Sequence, residues 1–173
     1  MNEQEISGVV QAVLERMKNT GFAHGAGHVC TCKKHKMTLE KANALIEKVK
    51  AKASEMGVRA VVAVADQAGR PVSVQSMDGA YIASFDIALN KSFTSASLNM
   101  STDALSHLSQ PGQPLYGIQF TNDGKIVIFG GGEVLEAEGK MIGALGVSGG
   151  TAKQDTELAA YGREVFKEVI ACL

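Results

Sequence analysis

Residues 139–150 read Gly139-Lys140-Met141-Ile142-Gly143-Ala144-Leu145-Gly146-Val147-Ser148-Gly149-Gly150. Almost nothing after Lys140 is polar, so both faces of the segment must be covered, and the run predicts a central strand. Gly143 and Gly146 remove side chains where a helix or another backbone approaches closely. Plain close packing is the simplest account of these two glycines. Gly149-Gly150 then releases the chain into Thr151-Ala152-Lys153-Gln154, the pattern of a capping box that opens a helix. Strand, glycine turn and capped helix form one unit, and the rest of the chain is read outward from it.

The 173 residues suit about one domain with some length to spare. Hydrophobic residues at 45% supply a normal core, and a net charge of −1 leaves no broad electrostatic footprint for nucleic acid or a membrane surface. No Trp and three Tyr argue against base stacking as the main activity. No apolar run approaches the roughly 18–20 residues that span a bilayer, and the polar, acidic start is not a secretory signal. Cys30, Cys32 and Cys172 do not make a disulfide framework, so a reducing cytoplasmic interior is expected.

Upstream, Ile6, Val9, Val10, Val13, Leu14 and Met17 line one face of a predicted amphipathic helix over residues 1–18. Asn2 caps it, Glu3 and Glu5 suit its positive end, and Gly21 suits its stop. So short a helix needs a surface, either its own domain or another protein. Residues 19–37 show neither helical nor strand periodicity. Their glycines and lysines predict a flexible tether, which favours the second surface. Helix, tether and N-terminal position together resemble the encapsulation peptides of bacterial microcompartment cargo proteins. That resemblance implies a shell protein or co-packaged cargo as partner and the microcompartment lumen, within the bacterial cytoplasm, as location.

The tether holds His24, His28 and His35 with Cys30 and Cys32, three of the four histidines and two of the three cysteines. Thiolate and imidazole ligate zinc and iron, so Cys30, Cys32 and His35 form a candidate metal site. Cys-x-Cys is not the usual zinc spacing, however, and a solvated linker with reactive thiols is the alternative. Lys33 and Lys34 beside Cys32 favour its thiolate in either case.

The compact domain, residues 38–173, opens with a helix capped by Thr38 and ended by Gly57, its apolar face carrying Leu39, Ala42, Leu45, Ile46, Val49, Ala53 and Met56. Val58–Asp66 and Pro71–Met77 predict a hairpin around Gln67-Ala68-Gly69-Arg70. Asp78-Gly79 is placed to cap a helix over about Ala80–Asn99, rich in small residues. A short helix follows from Ser101 or Thr102 to about Leu108. Strands are expected at Leu115–Phe120 and Lys125–Phe129, around Asn122-Asp123-Gly124, and again over Glu133–Glu138. A last helix buries Leu158, Val165, Phe166, Val169 and Ile170. Sequential hairpins with flanking helices predict an α+β fold rather than a doubly wound parallel sheet.

Four stretches then carry a specific resemblance: Val61–Gly69, Met77-Asp78-Gly79-Ala80, Ala88–Ala96, and Ile142–Gly150 followed by Gln154-Asp155. In this order they resemble the GlcG/HbpS family, also found as the C-terminal domain of PduO-type proteins. The resemblance covers residues from about 37 to 172. It implies a profilin-like or PAS-like antiparallel sheet flanked by helices, homo-oligomers that are often octamers, and binding of haem or a related tetrapyrrole in some members. Gly130-Gly131-Gly132-Glu133 lacks the proline that family members usually carry there, so an entrance loop is expected to differ.

Beside this match, Met77, Asp78 and Lys91 sit at element ends or on the small-residue helix, where Lys91 suits an acidic group such as a propionate, or a pairing with Asp78. His107 is the sole histidine of the compact domain and a candidate iron ligand, with Tyr116 as a substitute. Gly131 and Gly132 place backbone amides near an anion, without the spacing of a phosphate loop. Gly-x-Ser-x-Gly is absent and no Ser/His/Asp arrangement can be argued. The reading is a microcompartment-associated protein that binds haem or a related tetrapyrrole for cofactor handling or redox maintenance. The alternatives are an enzyme acting on a small hydroxy acid or aldehyde, and a non-catalytic oligomeric assembly protein.

Overall fold

A computed structural model describes residues 36–172. The helix expected over 1–18, most of the tether, and the candidate ligands Cys30, Cys32 and His35 lie outside the described residues. The fold is α+β: a four-stranded antiparallel sheet in the order β2-β1-β4-β3, with helices on both faces.

Helix α1, Leu39–Glu55, starts where Thr38 Oγ1 accepts the Lys41 N–H at 3.2 Å. It ends in a paired turn: Val58 N–H donates to Ala53 O at 2.8 Å and Gly57 N–H to Ser54 O at 3.1 Å. Gly57 takes φ +69°, which explains the residue type at this stop. Strands β1 (Val61–Asp66) and β2 (Pro71–Ser76) form the expected hairpin. Asp66 Oδ1 holds the turn by accepting the N–H groups of Ala68 and Arg70.

Helix α2 spans Ser84–Leu98, later than expected. Asp78 does not cap it; Ala83 is the N-cap and makes no side-chain bond. Residues 77–83 instead form a tight turn in which Ala80 N–H donates to Met77 O and Ser84 N–H to Tyr81 O. Helix α3, Thr102–Leu108, is capped by Ser101.

The strands expected at 115–120 and 125–129 are not present. Ile118–Phe120 and Asn122–Gly124 are single 3-10 turns. Gly117, Asn122, Asp123 and Gly124 all have positive φ. N–H groups of Ile118, Phe120, Thr121 and Gly124 donate three residues back, so the backbone is satisfied locally and needs no ladder. Val127 N–H is taken by the Thr94 hydroxyl at 3.0 Å.

Strands β3 (Gly132–Ala137) and β4 (Lys140–Ser148) are joined by Glu138-Gly139, both at positive φ, as a two-residue hairpin of the I′ kind requires. β4 lies between β1 and β3 and is buried from Ile142 to Ser148, as the opening stretch predicts. Helix α4, Ala152–Cys172, begins at the expected capping box: Thr151 N–H donates to Gln154 Oε1 at 3.0 Å and Gln154 N–H to Thr151 Oγ1 at 3.3 Å.

Leu45, Ile46 and Val49 of α1 and Leu158 and Phe166 of α4 pack over Val62, Val64, Leu135 and Leu145, forming the main core. Ile170 is only partly buried at its edge. The opposite face is smaller: Val61, Ala63 and Ala88 form its apolar cluster under α2.

Candidate functional site

Helix α2 lies directly on β4. A Cβ added at Gly146 would overlap the Ala88 carbonyl oxygen and stand 2.6 Å from the Ser92 nitrogen. Ala88, Ser92, Ser95 and Ala96 make up most of the buried stripe of α2, and Lys91 falls on the same stripe with no solvent exposure.

A buried ammonium requires partners. Lys91 Nζ donates to Asp155 Oδ2 and to Val147 O, both at 2.8 Å, and lies 4.9 Å from the centre of the Phe129 ring. Burial pulls the Lys91 pKa below its ordinary value, while the charge and hydrogen bond of Asp155 oppose that shift. Asp155 Oδ1 accepts the Gly150 N–H at 2.9 Å, so the carboxylate also ties the end of β4 to the start of α4. Gly131, at φ +115°, passes beside the pair; a Cβ there would stand 2.6 Å from both Lys91 Nζ and Val147 O.

Above this pair a cleft of about 340 Å³ is walled by Tyr81, Ile87, Phe129, Ser148 and Asp155. The Ser148 hydroxyl donates to that of Ser84 at 3.2 Å at its base. A second cleft, of about 430 Å³, is bordered by Arg59, Gly79, Thr151 and Gln154. Tyr81, Gly149 and Gly150 line both, so the two clefts adjoin as halves of one groove. A separate polar cleft of about 370 Å³ lies beside Glu133, Glu136, Arg163 and Lys167. There Glu133 is buried against Arg163 at 3.1 Å, and burial holds its carboxyl above the ordinary value despite the guanidinium.

The predicted site residues do not converge. Met77 is partly buried against the main core, its sulfur accepting the Ala60 N–H at 3.4 Å, and Asp78 is exposed beside it. Lys91 pairs with Asp155 rather than Asp78. His107 is exposed in the last turn of α3 and borders neither half of the groove. Tyr116 is exposed on the loop that follows. Gly132 is buried with its N–H donated to Thr102 Oγ1 at 2.8 Å, while the Gly131 carbonyl accepts the Val147 N–H. Among the described residues no group of three or more His, Cys, Asp or Glu is placed to hold a metal ion.

Asp155, Tyr81 and Phe129 are the residues sequence reasoning did not select. For Asp155 a signal exists: with Leu158, Ala159, Gly162, Val165, Phe166 and Val169 it completes the buried stripe of α4, and an acid on an apolar stripe implies a buried partner. Tyr81 and Phe129 sit outside regular elements and carry no periodic signal.

A four-stranded antiparallel sheet covered on both faces, with a buried lysine–aspartate pair under a surface groove, defines a small α+β class of domain. The profile of the haem-degrading protein HbpS-like family matches residues 37–164, and the chain belongs to that family. It is 44% identical over 133 residues to an uncharacterized 15.0 kDa protein in the dhaT-dhaS intergenic region of Citrobacter freundii, a match covering 77% of this chain and 94% of that one. Corrinoid adenosyltransferase PduO of the same organism is 36% identical over 108 residues, but the match spans 62% of this chain and 32% of PduO. Among solved structures, a complex of PduOC with haem superposes at a TM-score of 0.72 with 32% identity, covering 75% of this chain and 94% of that one.

Proposed function

We propose that this protein binds haem or a related tetrapyrrole and serves cofactor handling or redox maintenance. The observation that carries the reading is the likeness, over three quarters of the chain, to a domain solved as its haem complex. The groove offers such a group an apolar half with Ile87 and Phe129 and a polar half with Arg59, and Tyr81 borders both. When bound, the iron of haem would supply redox chemistry. The chain's part is to shield one face and neutralise the acidic edge. Haem titrated into the full chain is expected to give a saturable shift of the Soret band. A shift that rises without saturation in both iron states would defeat the reading.

We also propose that residues 1–18 deliver the protein to a microcompartment, and that the folded body assembles into homo-oligomers. The four-residue spacing of Ile6, Val10 and Leu14 in the sequence supports the first, and the exposure of Ile82 and Phe120 supports the second. A fluorescent protein carrying residues 1–18 is expected to concentrate in shells; diffuse fluorescence in a shell-forming host rejects targeting. Sedimentation of the purified chain as a monomer rejects assembly. A second functional reading, turnover of a small aldehyde or hydroxy acid, draws on Lys91 and Asp155 beneath the same groove. Turnover by haem-free protein would favour it.

A further inference from the structure

The sheet is covered unevenly. Helices α1 and α4 share one face, while α2 runs over the other, mainly above β4 and β1. Strand β2 lies beyond it at the sheet edge. Ser73 and Gln75 of β2 are bonded to Asn43 and Lys50 of α1, so the alternation of the strand turns Val74 to the α2 side. There Val74, Ala80 and Leu89 are only partly buried against the small cluster of Val61, Ala63 and Ala88. The approach to α2 adds more open apolar surface, with Ile82 97% exposed and Phe85 44% exposed. A contiguous apolar patch that the chain's own helices leave open marks an interaction surface.

The charges on this face have an order. Asp86, Leu89, Phe93 and Ser97 recur at spacings of three and four, opposite the buried stripe of Ala88, Ser92 and Ser95. Asp86 is exposed in the first turn, and the one lysine of α2, Lys91, is buried on the other side. The cation stands at the far end. A Cβ placed on Gly69 would lie 3.0 Å from the Phe93 ring and 3.6 Å from the Ser97 hydroxyl, so the β1–β2 turn rests against the last turns of α2. Its next residue, Arg70, is exposed. Neither Asp86 nor Arg70 makes an ion pair among the described residues. The patch thus carries an acid at one end, a base at the other and Leu89 between them. Asp86 lies three residues before Leu89 and Phe93 four after it. A two-fold rotation that stacks Leu89 on its own copy therefore brings Asp86 to the end where Phe93 and Arg70 stand. A charge pattern complementary to its own two-fold image selects a second copy of the chain as occupant.

Resting on the assembly reading above, we infer that this face is an isologous interface: α2 packs antiparallel against α2 of a second copy, covering Val74, Ile82 and Leu89 and pairing Asp86 with the partner's Arg70 on both sides of the axis. The apolar surface removed from water supplies the attraction. The two charge pairs fix direction and register, because a parallel or shifted arrangement sets like charges together or leaves them unpaired. Raised salt screens the pairs and leaves the apolar contact in place.

The test is sedimentation velocity of the full chain over a range of concentrations. Wild type is expected as a dimer or an assembly of an even number of copies. Asp86→Arg and Arg70→Asp each set like charges together at both ends of the interface. Each is expected to raise the dissociation constant roughly ten-fold or more and to shift the chain to smaller species. Both positions are exposed, so the circular dichroism of each variant should stay that of wild type. Mixed together, the two variants are expected to associate again, since each supplies the charge the other lacks. The double variant Asp86→Arg/Arg70→Asp is expected to assemble alone. Ile82→Glu, at a position too exposed to unfold the chain, should weaken association as well. Single charge variants that associate as wild type does, or a mixture no larger than its components, overturn this interface while sparing the assembly reading. A wild-type chain that sediments as a monomer rejects both and leaves the face to a different protein.

Discussion

The two faces of the sheet are built by different rules. On the α1/α4 face, bulky aliphatic and aromatic side chains interdigitate: Leu45, Ile46, Val49, Leu158 and Phe166 over Val64, Leu135 and Leu145. On the α2 face few large side chains exist. Contact there comes from missing ones, with Gly146 admitting the backbone of Ala88 and Gly132 packed among Ser95, Thr102 and Lys91. The first face is held by buried apolar area, which tolerates modest change of shape. The second is held by close backbone approach and by one desolvated ion pair, both of which fail abruptly. The groove opens beside the second face. A ligand site needs polar groups held in fixed places, and a face of backbone contacts and paired charges provides them.

The largest expected effect comes from splitting the ion pair. Lys91→Met leaves Asp155 buried without its cation and is expected to destabilise the fold by about 3–5 kcal/mol. Adding Asp155→Leu should recover the greater part of that loss, since removing both charges avoids the stranded one. Urea denaturation of the single and double variants measures this. A double variant no more stable than the single would show that the pair is not what holds this face.

A pair of glycine substitutions compares the faces directly. Gly146→Ala drives a methyl into the α2 backbone, which cannot step aside, and should cost about 1–3 kcal/mol or more. Gly162→Ala on α4 meets the side chains of Leu145 and Val49 instead. Those can adjust, and alanine gains about 1 kcal/mol of helix propensity over glycine. Thermal melts are therefore expected to rank Gly146→Ala well below Gly162→Ala. Equal losses would erase the distinction drawn between the two faces.

The smallest effect concerns Glu133, a charged residue on the edge of the aliphatic face. Burial raises its pKa in the fold above the ordinary 4.5, so the folded state holds its proton more tightly than the unfolded chain. Its contribution to stability is present below pH 4.5 and is lost as pH rises through the folded value, by about 1.4 kcal/mol for each unit separating the two states. Glu133→Gln, neutral throughout, should remove that fall. Denaturation at a series of pH values from 4 upward, taken as the difference between wild type and Glu133→Gln, reads it. A difference independent of pH would place the cost of Glu133 in packing rather than ionisation.

The same contrast governs how much of the protein was legible in its residues. The main core was visible from local pattern alone: the stripe from Leu45 to Ala53, the β-branched run before Asp66, the capping box at Thr151 and the apolar strand around Gly143 and Gly146. Each depends on hydrogen bonds and burial that repeat within a few residues, and periodicity records such repeats. The family was legible too, because four motifs stood in order. The segment from Leu115 to Phe129 misled because its apolar residues suggested strands, while positive φ at Gly117, Asn122 and Asp123 coils it into turns that satisfy themselves.

By itself, then, the sequence determined the four helices found among the described residues, the β1–β2 and β3–β4 hairpins, the identity of the inner strand and the α+β class. Only the tertiary structure decided that Lys91 meets Asp155, 64 residues away, rather than Asp78. It alone brought Tyr81, Arg59 and Phe129 to one groove and left His107 outside it. The physical reason is one of range. Local order follows from chemistry within a turn or a strand, whereas the partner of a buried charge is chosen by chain topology: the buried stripe of α4 shows that Asp155 needs a partner, and only the fold brings Lys91 to it.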